Sequence, residues 1–450
     1  MTDFLPVILF LSIVLTTFNR GFFSPAALVL LIIIYIYFLV LYFKKTSSLP
    51  KKAKVVADSD TVYRYLLIIT YTLFIFFSGG IYQEKLFESL LLALLPFVAL
   101  PLVLTFYLSD SALSKISRNR RFYFLLIIAF IVRVLMVRSS PAPIIDVYTM
   151  LKEAPQAVLQ GINPYMNVYS TVYSGIKADY FTYWPAAFLM QIPFVYIFRD
   201  PRVLLILADM ASAWLIYLLG KKGNLGRLLC LLYLFRPNSN FIIEQSYLVP
   251  LEFFSMVLIF YILKSTKILL KKKEIFSGAV FGIMASLKPH YLMLLPFLLI
   301  KNTLQRLFGL SAILILTVLP FILWNPQAFK NDTVDYFLRP DDKIANVPIY
   351  HSLNLNSLAK LITGNALPVN FVLVLSLIVF LSLLYTFIYR FRSGKRYNDN
   401  IFLYHFLLCA IILLLTSYLF FRFAFINYYY FITNLIILLA VYKSSFISHK

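Results

Sequence analysis

The sequence predicts an all-α, polytopic integral membrane protein of about 12–14 transmembrane helices, and three observations predict it. Sixty-one per cent of the residues are hydrophobic and only 13% are charged, whereas a soluble domain is about half apolar. The apolar residues fall in stretches close to the ~20 that a helix needs to cross a bilayer. The basic residues, which bring the net charge to +22, fall in short gaps between those stretches. No stretch is long and polar enough for a soluble domain, so 1–450 is read as a single membrane domain. In a soluble chain such a charge would raise nucleic acid as a partner. Here membrane lipids are the expected surroundings, and no nucleic acid is expected. Cys230 and Cys409 lie in apolar segments, which speaks against a disulfide or a zinc site.

The spans follow in order. The first, 4–18, lies in "MTDFLPVILFLSIVLTTFNRGFF" and has neither a basic leader nor a small-residue cleavage site, so a retained helix is expected. The second, 26–43, stops at Lys44 and Lys45. Lys51, Lys52, Lys54 and Arg64 precede 65–80, and 86–108 returns. Lys115, Arg118, Arg120 and Arg121 precede 122–138. Spans 203–219 and 227–242 flank Lys221, Lys222 and Arg227. Span 246–264 runs into "KSTKILLKKK", and 275–288 and 289–300 form a short pair around Lys288. Lys301 and Arg306 precede 307–324. Arg390, Arg392, Lys395 and Arg396 separate 371–390 from 401–420, and 427–443 ends at Lys443. These basic gaps hold well over half of the 41 Lys and Arg, so they and both termini are expected on the cytoplasmic side. The two long polar segments, 139–202 and 325–370, then face outward, and Asn331-Asp332-Thr333 is a glycosylation sequon on that side.

The outer segment 139–202 carries the chemistry-bearing pattern. In "DVYTMLKEAPQAVLQGINPY", Asp146 and Glu153 accompany a short amphipathic helix with Leu151, Ala154, Val158 and Leu159 on one side. Gly161 stops that helix, Asn163-Pro164 turns the chain, and Tyr165 follows. The aromatic stretch "DYFTYWPAAF" brings Tyr180, Tyr183, Trp184 and Pro185. Next, "PAAFLMQIPFVYIF" (185–198) is apolar enough to suggest a span, but counting it would invert every later loop. It is read as a re-entrant or interfacial piece roofing a cavity. Asp146 has two readings: a cap for the 148–160 helix, or a general base held at the membrane surface.

Other polar residues stand out against the apolar background. Lys288 and His290 interrupt "EIFSGAVFGIMASLKPHYLMLLPFLLI"; an intramembrane Lys meets an anion or water, or snorkels to the interface. Arg236 and Glu244 flank "RPNSNFIIEQ" and could pair with each other. Arg422 in "FFRFAFINYYY" precedes Tyr428, Tyr429 and Tyr430, which suit an interfacial aromatic belt. Asp209 sits inside a span and is read as a partner of Arg202 or Arg236, with a place in the site as the competing reading. Asp341 and Asp342, beside Arg339 and His351, read as solvated loop acids. There is no P-loop, GxGxxG, HExxH or Cys/His cluster, and position 148 is Tyr, so no DxD pair opens the outer segment.

Together "DVYTMLKEAPQAVLQGINPY" and "YFTYWPAAFLMQIPF" resemble the GT-C superfamily of membrane glycosyltransferases, in particular its polyprenyl-phosphate-mannose-dependent mannosyltransferases, including the GPI-anchor type. The likeness continues through "ADMASAWLIYLLGKKGNLGR", "LFRPNSNFIIEQSYLVPLEFFSMVLIFYILK" and "GAVFGIMASLKPHYLMLLPFLL", covering roughly 140 to 300. It implies a GT-C-like fold, a polyprenyl-phosphate-linked sugar donor, a lipid, glycan or protein acceptor, and inversion at the anomeric carbon. It implies an active site on the extracytoplasmic face of a cell membrane or endoplasmic reticulum. Asp146 falls at the family's catalytic acid, and Lys288 in its Lys segment. Lys288, His290 and Arg422 are then candidates for the donor phosphate, with Tyr165, Tyr183 and Glu244 as further substrate contacts. Two departures stand out: four extra spans precede the Asp loop, and the second acid of the GPI type is absent. The residues themselves call for no cofactor, and the resemblance leaves a divalent metal open. The competing expectations are a transporter or flippase of lipid-linked sugars, an oligosaccharyltransferase of the same superfamily, and an inactive subunit of a glycosylation complex.

Overall fold

A computed structural model describes residues 4–44, 54–105, 115–172, 178–265, 269–300, 303–338, 351–392, 399–421 and 424–447. Among them the secondary structure is helical without strands; the β pairings are isolated bridges, Phe22 with Ser352 and Tyr169 with Ala178. Helix α1 (Leu5–Val14) runs into a π turn, Leu15–Asn19, where the Thr16 and Thr17 hydroxyls bond back to the Ile13 carbonyl. Helix α2 (Pro25–Phe43) is started by Ser24, whose hydroxyl accepts the Ala27 N–H at 3.1 Å, with Pro25 in the first position. Helices α3 (Lys54–Phe77), α4 (Leu86–Leu104) and α5 (Lys115–Ser139) lead to the segment 139–202. That segment holds α6 (Asp146–Leu159), α7 (Ala186–Leu189) and α8 (Ile192–Phe198). Then come α9 (Arg202–Leu219), α10 (Asn224–Leu234), α11 (Ser239–Glu244), α12 (Val249–Lys264) and α13 (Leu270–Leu287). A 3-10 turn, Pro289–Leu294, and α14 (Leu295–Leu298) precede α15 (Thr303–Thr317), α16 (Leu319–Trp324), α17 (Pro326–Lys330) and α18 (Tyr336–Leu338). The chain closes with α19 (Leu355–Thr363), α20 (Val369–Arg392), α21 (Asp399–Phe420) and α22 (Ile426–Ile447).

Among the described residues, seven helices are long and apolar enough to cross a membrane: α2, α3 over Asp60–Phe77, α4, α5 over Asn119–Ser139, α9, α20 over Val369–Phe391, and α21. The fourteen expected spans are therefore not fourteen long helices. Expected span 227–242 breaks where Asn238 takes a left-handed conformation (φ 61°) between α10 and α11. Expected span 307–324 splits at Val318 into α15 and α16, with Pro320 in the first turn of the latter. Residues 185–198, expected to be an interfacial piece, form two short helices; Tyr196, Ile197 and Phe198 at the end of α8 are exposed.

The interior lies where α21 and α22 meet α2, α9, α10 and α12, and α21 is buried along most of its length. Helix α20, by contrast, exposes Phe371, Leu373, Val374, Leu377, Ile378, Leu381, Tyr385 and Tyr389 on the outside. An apolar face of that extent suits contact with lipid.

Helices α13 and α15 pack along a seam of small residues. A side chain at Gly278 would run into the backbone of Arg306, one at Gly282 into Ile313, and one at Gly309 into the backbone of Ile275 and Ala279. Positions 278 and 282 thus meet 306 and 313, so the two helices run parallel. The stretch between them must carry the chain back. Six residues of 3-10 helix and four of α-helix rise about 18 Å, close to the ~20 Å from Glu274 to Leu287 along α13. The return is sealed where Arg306 Nε meets Glu274 Oε2 at 2.5 Å and the Arg306 Nη1 donates to the Leu298 carbonyl.

Candidate functional site

Helix α6 begins at Asp146 itself, and its N-cap, Ile145, makes no side-chain cap bond. The Asp146 Oδ1 accepts the N–H of its neighbour Val147 (2.8 Å), so the carboxylate does not cap the helix in the usual way, by reaching two or three residues ahead. Its Oδ2 accepts the Tyr180 hydroxyl at 3.0 Å. Among the described residues no cation pairs with it. Burial of the carboxyl end pushes the Asp146 pKa above the ordinary carboxylate value, and the bonds from Tyr180 and Val147 offset this only in part. Helix α6 is held by Val147, Met150, Leu151, Ala154, Pro155 and Ala157 on its inner face; Leu159, expected on that face, is exposed. Gly161 (φ 74°) ends the turn that follows, as expected.

The aromatic stretch is fixed from three sides. The Phe181 N–H donates to Asp332 Oδ2 (2.7 Å), the Trp184 N–H to the Leu287 carbonyl (3.3 Å), and the Ala186 N–H to Ser286 Oγ (3.2 Å). Tyr180 stacks on Tyr336 with ring centres 4.9 Å apart, so the segment after 325 builds one wall of the site. Tyr165 is buried, packs on Phe181 and Phe329, and donates its hydroxyl to the Tyr183 carbonyl at 2.9 Å. It acts on the site through Tyr183. The sequon is folded into a π turn in which Asp332 and Thr333 are buried and Thr333 donates to Phe329, a geometry unsuited to glycosylation.

Lys288 caps the end of α13 at 7% exposure and does not reach solvent as a snorkelling Lys would. Its Nζ lies 2.9 Å from Oε1 of Glu252 on α12, while the Tyr291 hydroxyl donates to Oε2 at 2.5 Å. The rings of Tyr428 and Tyr183 stand 5.0 and 5.9 Å from the ammonium. His290 packs on Tyr291 and lies 3.5 Å from the Tyr418 hydroxyl.

Tyr183 joins the two halves. Burial raises its pKa first, and Tyr428, Asp146 and Glu252 raise it further, so its hydroxyl feels both carboxylates. Tyr183 thus stands between the Asp146 carboxylate, whose charge it feels, and the Lys288 ammonium beside its ring, and it links α6 to the Lys288–Glu252 pair as one candidate site. Glu244 stands behind it: fully buried, its two oxygens accept the N–H groups of Ile81 and Tyr82, both at 2.8 Å. It fixes the α3–α4 loop and does not pair with Arg236. Tyr82 is close enough that, after burial, Glu244 and then Asp146 raise its pKa. Asp209 pairs with neither Arg202 nor Arg236. Its partners are Arg133 at 2.6 Å and the Tyr233 hydroxyl, while Arg202 binds Asp200. Arg422, Arg339, Asp341 and Asp342 lie outside the described residues.

The residues that sequence reasoning passed over are Glu252, Tyr336 and Tyr82. Glu252 had a readable signal, since an acid within the apolar "LVPLEFF" is as anomalous as Lys288. Among the described residues no three His, Cys, Asp or Glu converge as a metal site. Comparison of the chain with models of protein families, with curated proteins and with solved structures finds no match.

Proposed function

We propose that this chain is a membrane glycosyltransferase, moving a sugar such as mannose from a polyprenyl-phosphate-linked donor to an acceptor on the extracytoplasmic face. The observation that carries the reading is Asp146: an acid at the start of an ordered outer helix, held by a hydroxyl and an amide, unpaired with any described cation, and with a raised pKa. Such a group suits a general base. The acceptor hydroxyl gives its proton to Asp146, and its oxygen attacks the anomeric carbon. The bond to phosphate breaks on the opposite face, and the electron pair leaves with the phosphate as a monoester. That leaving group needs no acid, so one carboxylate suffices, unlike the pair required in glycoside hydrolysis. On this reading Lys288 and His290 stabilise the negative charge that develops on the phosphate. Glu252 already neutralises Lys288, so the ammonium reaches a phosphate by sharing or exchanging that partner.

The test is incubation of the purified protein with radiolabelled polyprenyl-phosphate-mannose and candidate acceptors. Transfer of label supports the reading. Movement of intact donor across a bilayer without cleavage points instead to a transporter of lipid-linked sugars. Orientation is tested separately with Gln160→Cys and Lys222→Cys in intact cells, since native Cys230 and Cys409 are buried and silent. Labelling at 160 and not at 222 supports an outward site, and the reverse pattern overturns it.

A further inference from the structure

Among the described residues, four arginines are buried to 3% exposure or less: Arg133, Arg202, Arg236 and Arg306. Three meet a carboxylate: Arg133 with Asp209 and Arg202 with Asp200, both at 2.6 Å, and Arg306 with Glu274 at 2.5 Å. Arg236 meets none among the described residues. It sits in the break between α10 and α11, 1% exposed, with its guanidinium 3.9 Å from the centre of the Tyr430 ring. Its Nη2 donates to Oδ1 of Asn434, and its Nε makes a long bond of 3.4 Å to the Tyr233 carbonyl. Two donors are left over, Arg236 Nη1 and Asn434 Nδ2, both buried and without an acceptor. They belong to the two groups that share one hydrogen bond, so they lie close together.

The local charge points the same way. Tyr233, whose ring lies under Arg236, donates its hydroxyl to Asp209, and that carboxylate is already paired with the Arg133 guanidinium. Aromatic faces attract a guanidinium, yet they accept none of the in-plane N–H bonds that an oxyanion takes from its fork. A buried cation with free donors carries a large desolvation penalty unless an anion meets it. The neighbourhood is the end of the bundle that carries Asp146: Asn238 donates to the Thr16 carbonyl at the end of α1, and its N–H to the Phe77 carbonyl at the end of α3. Phe253, next to Glu252, stacks on Tyr233.

We propose that Arg236 and Asn434 form a buried receptor for a phosphate-type oxyanion, separate from the Lys288–Glu252 pair. The receptor stands independently of the transfer reading, and its test reads binding alone. The purified protein in detergent is melted with inorganic phosphate, with farnesyl monophosphate, or with farnesol as the headless control. The melting temperature should rise by about 2 °C or more at saturating phosphate-bearing probe, and not with farnesol. A rise with farnesyl monophosphate alone assigns a lipid head group; a rise with both assigns the phosphate group from either source. Arg236→Met should fold, melt no lower than wild type without probe, and lose the rise, because an apolar isostere removes the uncompensated charge. If Arg236→Met does not accumulate, Arg236→Lys decides, and a smaller rise than wild type is expected. The proposal is overturned if neither phosphate probe raises the melting temperature, if farnesol raises it equally, or if the Arg236 variants keep the full rise.

Discussion

Asp209, buried within its helix, and Asp146, partly buried at the start of its own, are held in opposite ways. Asp209, within α9, is met by the Arg133 guanidinium from α5 and the Tyr233 hydroxyl from α10. Asp146, at the first residue of α6, receives one hydroxyl and one amide and no described cation. The first arrangement ties three helices together and leaves the acid nothing to react with. The second leaves the charge of the acid poorly compensated and its proton affinity high, which is what a base needs. Burial of an acid therefore says little by itself; the identity of its partner separates a strut from a reagent.

The strongest way to break that contrast is to make the same substitution at both. Asp146→Asn should fold and lose transfer by roughly two to four orders of magnitude, read with radiolabelled donor. Asp209→Asn should leave Arg133 buried and unpaired and lose about 3–5 kcal/mol of stability, read by denaturation or by failure to accumulate. An Asp146→Asn protein that keeps more than about a tenth of the activity, or an Asp209→Asn protein of normal stability, would erase the distinction. Lys288 and Glu252 sharpen it from between the extremes, being a buried ion pair inside the site. Lys288→Met alone should destabilise by about 3–5 kcal/mol, and adding Glu252→Met should restore most of that. Transfer should not return with stability if Lys288 meets the donor; activity that recovers in the double variant removes Lys288 from the chemistry.

A smaller effect isolates packing from charge. Gly278→Ala should separate α13 from α15 and lower the melting temperature, by about 1–3 kcal/mol of stability as overpacking usually does, with Lys288 displaced at the far end of α13. An unchanged melting temperature would mean that the seam tolerates separation. The smallest expected effect concerns pH. The folded state holds the Asp146 proton more tightly than the unfolded chain does, so this residue lowers stability as pH rises from the ordinary carboxylate range through the raised native value. Asp146→Asn should melt slightly above wild type at neutral pH, and the two curves should meet at a pH below about 4. The wild-type transfer rate should rise with pH through an apparent pKa above the ordinary carboxylate range; a rate flat across that range contradicts the base assignment.

Much of this arrangement was readable along the chain. Helix α6, its stop at Gly161, the absence of a long helix in 185–198 and the anomaly of Lys288 all follow from local pattern, because each depends on residues within a few turns. What escaped depends on partners far apart in sequence. Arg133 and Asp209 are 76 positions apart, and Glu244 reaches Ile81 across 163. Hydrophobic periodicity carries no record of such pairs. The break after α10 was hidden because Phe241, Ile242 and Ile243 keep the segment apolar across it. Leu159 was assigned inward by composition, yet it lies in the last turn of α6, where the packed face has already rotated away.

The parallel alignment of α13 and α15 has a consequence for how the chain enters the bilayer. The stretch from Pro289 to Leu298 is ten residues long and largely 3-10, too short and too weakly hydrogen-bonded to partition into lipid by itself. Its position is set only when Arg306, at the start of the next helix, closes on Glu274 and the Leu298 carbonyl. During synthesis α13 must therefore wait, with Lys288 at its C-terminal end, until α15 has left the ribosome. The three pieces then settle as one insertion unit, and the lysine of the site is seated late, by a contact made at the opposite end of the helix that carries it.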